Sequence, residues 1–169
     1  MNALREWLDI FRPKSGRAAF QLVVAALGGA GIVVGIGWIL LVVVAFPRTE
    51  SGFTGGLALL VGGVHLFAGF AVLSAGLSIP QRTGEGVQFS RRQRLALVYG
   101  AVAPVGAILA IPIGSSVLPP VSGATQTALV GLLAIVLLSG PVVTLTVIGH
   151  RVHIAVSGDR TESAAGSGR

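Results

Sequence analysis

Residues 53–79 read FTGGLALLVGGVHLFAGFAVLSAGLSI, an uncharged run with glycine at 55, 62, 69 and 76. About 20 apolar helical residues cross a bilayer core, so this run predicts a membrane helix. Filling the seven-residue glycine repeat at three-four spacing gives one seam of Gly55, Ala58, Gly62, His65, Gly69, Val72 and Gly76. Small residues let a second backbone approach closely. The seam therefore predicts a helix–helix contact and turns His65 toward that neighbour, with a glycine on either side.

Three further stretches, 18–46, 95–117 and 126–149, meet the same length requirement. The predicted fold is an all-α membrane protein of four transmembrane helices (18–46, 53–79, 95–117, 126–149) in a tightly packed up-down bundle, occupying residues 18–153. The first run far exceeds the roughly 7–15 apolar residues of a cleaved signal peptide, and it reads as a retained helix. Ahead of it, residues 1–17 place Leu4, Trp7, Leu8 and Phe11 on one face and Arg5, Glu6, Asp9 and Arg12 on the other. This pattern predicts a short amphipathic interfacial helix. Residues 154–169 are mainly Ser, Gly, Ala and charged side chains, with too little apolar area to pack, and predict a disordered tail.

The composition agrees: 53% of the 169 residues are hydrophobic and 11% charged, where soluble domains carry about 25% charged residues. With no cysteine, disulfides and thiolate chemistry are excluded. The net charge is +6, and eleven of the twelve basic residues lie before the first span, in the 80–94 loop or after the fourth, leaving only Arg48 elsewhere. The positive-inside rule then predicts a multi-pass protein of the cell membrane with both termini cytoplasmic. Charge placed this way sets orientation and does not point to nucleic acid. Arg91, Arg92 and Arg94 cluster at the start of the third span, as candidate contacts for anionic lipid headgroups. Ser90 and Gln93 have the spacing of a capping box there.

The other spans carry their own small-residue stripes. In the first, Gly28, Gly31, Gly35 and Trp38 share a face. Counting depth from the 47–52 turn at about 1.5 Å per residue brings Gly35 level with His65 and Trp38 level with Gly62. The third span has Ala96, Gly100, Ala103, Ala107, Ala110 and Gly114, interrupted by Pro104 and Pro112, which are expected to bend it. The fourth has a Ser139-Gly140-Pro141 break followed by Thr144 and Thr146, whose hydroxyls are expected to bond carbonyls of their own helix.

No span contains Asp, Glu, Lys or Arg, which argues against carboxylate-driven exchange and acid-pair proteolysis. Nor does any nucleophile-and-base arrangement emerge, so no enzyme is expected. His65, near the middle of its span, is the candidate midplane polar site, with Ser139 as a possible hydrogen-bond partner. A bis-histidine haem needs two histidines at one depth, and His150 and His153 stand at the cytoplasmic end of the fourth span, more than ten residues from the depth of His65; no cofactor or metal is expected. These readings predict a small non-enzymatic membrane protein acting through helix–helix association, by self-assembly or as an accessory subunit of a membrane complex. The alternative is a small transporter or permeation unit with its midplane site at His65. Expected partners are the lipid bilayer and either a second copy or another membrane protein, with no nucleic acid.

Overall fold

The computed structural model describes residues 15–45, 52–81, 87–117 and 123–166 and contains helices α1 (Gly16–Ala45), α2 (Gly52–Ser78), α3 (Arg91–Val117) and α4 (Gly123–Gly166). The described residues contain no strand. Four segments, Gly16–Val44, Gly56–Ser78, Arg91–Gly114 and Gly123–Ile154, are long and apolar enough to cross a bilayer, which fits a multi-pass membrane protein. Helix is the conformation such segments need, because hydrocarbon offers the backbone no hydrogen bonds. The expected interfacial helix at Asn2–Arg12 lies outside the described residues.

Local capping decides where the helices start. The Ala18 N–H donates to Ser15 Oγ at 3.2 Å, so α1 begins two residues ahead of its apolar run. At α3 the capping box is reciprocal: the Gln93 N–H donates to Ser90 Oγ at 3.2 Å and the Ser90 N–H to Gln93 Oε1 at 3.0 Å. The helix therefore takes in Arg91–Arg94 and does not wait for Leu95. In α4 the backbone runs helical through Gly166, past the end of the apolar run. Apolar area governs tertiary packing, but a helix already formed extends by one local hydrogen bond per residue, and no proline follows Pro141 to stop it.

α1 and α2 pack antiparallel and almost backbone to backbone. Gly28 abuts Leu73, Gly31 abuts Gly69, Gly35 abuts Leu66, and Gly76 abuts Ala25. A Cβ at Gly35 would stand 2.5 Å from the Leu66 nitrogen, and one at Gly69 would stand 2.5 Å from the Ile32 nitrogen. α3 and α4 meet through Gly100 and Gly140, where a Cβ at Gly140 would stand 2.7 Å from the Pro104 ring. Ala103 and Ala107 are buried, and both helices continue through their prolines, Pro104 and Pro112 in α3 and Pro141 in α4.

The two pairs join at the basic end. Leu77 of α2, Leu97 of α3 and Val147 of α4 form a buried cluster, flanked by Ala25, Leu73, Phe89, Ala96 and Ile148. Among the described residues α1 touches α2 but neither α3 nor α4. The four apolar helices pack against one another as expected, with α1 held through α2 alone among the described residues. Both glycine stripes, on α1 and on α2, are used up in one contact, and what α1 presents elsewhere is large aliphatic side chains such as Leu27, Val33 and Leu40. Likewise, the α2 face that is buried at Phe70, Ser74 and Leu77 is uncovered at Gly56, Leu59 and Leu60.

Candidate functional site

The structure turns His65 away from the helix contact. Its side chain is exposed, and the imidazole Nδ1 lies 2.8 Å from the carbonyl oxygen of Val61, one turn earlier in the same helix. This corrects its expected position against α1. A seven-residue repeat from Gly62 to Gly69 can be completed at i+3 or i+4, and the structure completes it at i+4, placing Leu66 against Gly35. A carbonyl only accepts, so Nδ1 carries the proton and Nε2 of the neutral ring is an acceptor. Among the described residues Nε2 has no hydrogen-bond partner. Ser139 is not its neighbour either: Ser139 Oγ lies 2.6 Å from the Tyr99 hydroxyl and donates to the Val136 carbonyl at 2.8 Å.

A buried hydroxyl pair links the two helix pairs instead. Ser74 Oγ of α2 and Thr144 Oγ1 of α4 lie 2.6 Å apart, and Thr144 also donates to the Gly140 carbonyl at 2.9 Å. Both side chains and Pro104 are fully buried. Gly100 makes room, because a Cβ there would meet Thr144 Oγ1 and stand 3.2 Å from Ser74 Oγ. Thr144 and Thr146 do bond carbonyls of their own helix. The missed element is Ser74, which stands among small residues and carries no signal of its own beyond a hydroxyl in an apolar run.

At the basic end one amide fastens the segment joining the pairs. Gln21 of α1 is fully buried; its Nε2 donates to the carbonyls of Val87 at 3.0 Å, Leu77 at 3.4 Å and Ile79 at 3.5 Å, and its Oε1 accepts from the Val87 N–H at 3.1 Å. Gln81 adds a bond to the Arg17 carbonyl at 3.3 Å. From α4, Arg151 donates to the Gln88 carbonyl and lies over the Phe89 ring, 5.8 Å from its centre. Gln21 is not among the expected sites. Its signal was an amide inside an apolar run, which has to find partners once buried.

The remaining predicted residues fall as follows. Arg91 and Arg92 are exposed and Arg94 is half-buried, with its Nε buried and lacking a hydrogen-bond partner among the described residues. Gly31, Gly35, Gly62, Gly69 and Gly76 lie in the α1/α2 contact, and Gly55 lies in the first turn of α2. Trp38 lies beside Gly62, its Cδ1 3.1 Å from where a Cβ would stand, while its Nε1 donates to the Ala58 carbonyl at 2.8 Å. Gly100, Ala103 and Ala107 are buried. Among the described residues no three His, Cys, Asp or Glu side chains group as metal ligands. No family model, curated protein or solved structure matches this chain.

Proposed function

We propose that this chain is an integral membrane protein that acts through helix–helix association, with a second copy of itself or as an accessory subunit of a larger membrane complex. The basic end is cytoplasmic in this reading. The outward His65 supports it. An acceptor left without a donor in hydrocarbon costs several kcal/mol, and a second protein that brings an N–H or O–H to Nε2 removes that cost. The surrounding face of α2 suits such an approach: Val64, His65, Ala68, Val72 and Ala75 are all exposed, and the two alanines allow a helix to come close. A transport site at His65, the alternative, would have to close between chains, because the ring bonds to its own helix and to no other among the described residues.

Because the chain has no cysteine, Ala68→Cys gives a single reporter. Under oxidising conditions in native membranes it is expected to form a disulfide dimer or an adduct with a larger protein, and Ala68→Trp is expected to abolish the assembly seen by native mass spectrometry. A wild-type monomer in mild detergent, with Ala68→Cys linking no faster than Val102→Cys on α3, would overturn the reading.

A further inference from the structure

We infer that the start of α3 is a binding site for one anionic phospholipid, with Arg94 as the ligand of its phosphate; the inference rests on the membrane placement of the four helices. The basic end satisfies one guanidinium internally and leaves another incomplete. Arg151 has the Gln88 carbonyl and the Phe89 ring. Arg94 is half-buried at the same end, and its Nε is buried with no acceptor among the described residues. A guanidinium presents five donors in a rigid fork that matches phosphate oxygens two at a time. Nε itself is covered by protein, so a phosphate would be held end-on by the two terminal nitrogens, two oxygens at a time.

The surroundings favour a lipid over free phosphate. Arg94 is the last charged residue before the uncharged run that begins at Leu95, which is the depth where lipid phosphates lie. Helical spacing then places Val98, Val102, Val105 and Leu109 in one stripe below Arg94, and all four are exposed. Arg91, three residues earlier and also exposed, continues the stripe toward water. One face of α3 thus presents two guanidiniums above an apolar track, the order of charge and hydrocarbon within a phospholipid. The first turn adds the positive end of the helix dipole, and the capping box with the Gln21 clamp holds that turn in place.

The purified full chain is tested by native mass spectrometry from micelles containing phosphatidylglycerol, phosphatidylcholine of the same acyl chains, or inorganic phosphate alone. Retention of one phosphatidylglycerol is expected, with neither of the other probes retained. Arg94→Gln is expected to lower that retention about tenfold or more, the scale of one lost charge-assisted hydrogen bond, whereas Arg92→Gln, off the stripe, leaves it within about twofold, as exposed charges contribute little. Should Arg94→Gln fail to fold, Arg94→Lys keeps the charge, loses the fork, and is expected to retain less lipid than wild type. Equal retention of phosphatidylcholine, equal competition by inorganic phosphate, or wild-type retention by the Arg94 variant would each overturn the site. So would matching losses in Arg94→Gln and Glu85→Gln without lipid, since these would assign the guanidinium to a carboxylate of this chain. Oxidative linking of Ala68→Cys is read separately, so failure of the lipid site leaves the association reading standing.

Discussion

Two side chains with polar groups in apolar runs met opposite fates, and the difference is one of satisfaction. Gln21 uses both ends of its amide, giving three carbonyls a donor and the Val87 N–H an acceptor, and so can be wholly buried. His65 satisfies one nitrogen from its own helix and stays at the surface. Gln21→Leu keeps the volume roughly and removes every one of those bonds. It is expected to lower stability by about 1–3 kcal/mol, the cost of stranding buried polar groups, and to speed tryptic digestion of the chain. Circular-dichroism melts in nanodiscs and a timed trypsin digest check this. A variant that melts and digests like wild type would show that Gln21 is not a clamp.

At the scale of elements, glycines sort by what faces them. Gly35 meets the Leu66 backbone, where a Cβ would stand 2.5 Å from nitrogen, while nothing lies within 4 Å of a Cβ at Gly37. Gly35→Ala is expected to destabilise by roughly 1–3 kcal/mol through overpacking, because neither backbone can retreat without opening the whole helix contact. Gly37→Ala in the same helix is expected to be neutral or to stabilise by up to about 1 kcal/mol from helix propensity. Thermal melts of the two single variants decide it, and the same sign for both would disprove the α1/α2 seam. Much of this contact was legible: Gly28, Gly31, Gly35, Gly62, Gly69 and Gly76 all lie in it. The partner of Gly35 was not, because glycine spacing of seven leaves i+3 and i+4 equally open and His65 and Leu66 adjacent in sequence.

At the scale of the molecule, the described residues form two helix pairs joined at the basic end, with no contact between α1 and either α3 or α4. Hydrocarbon tolerates this openness, since lipid solvates leucine as well as another leucine does and no hydrophobic force closes the row. The proposed orientation follows from the charge asymmetry. Reporters inserted at Gly84 and fused after Arg169 are expected to read cytoplasm, and one at Ser51 the opposite side, from the placement of eleven of the twelve basic residues. A cytoplasmic signal from Ser51 would refute the proposed orientation.

The four apolar helices, their approximate limits apart from the end of α4, the capping box at Ser90 and the small-residue faces follow from sequence alone. Each depends on local facts: run length against membrane thickness, one cap three residues from its partner, or side-chain size at helical spacing. Tertiary structure alone decided that α1 stays apart from α3 and α4, that Leu66 and not His65 enters the contact, and that Ser74 meets Thr144. It also gave Gln21 to the Val87 segment and left Arg94 Nε without an acceptor among the described residues. These are choices among nearly equal helix faces. In lipid no single apolar face is driven inward, so close backbone fit and a few buried hydrogen bonds select among them.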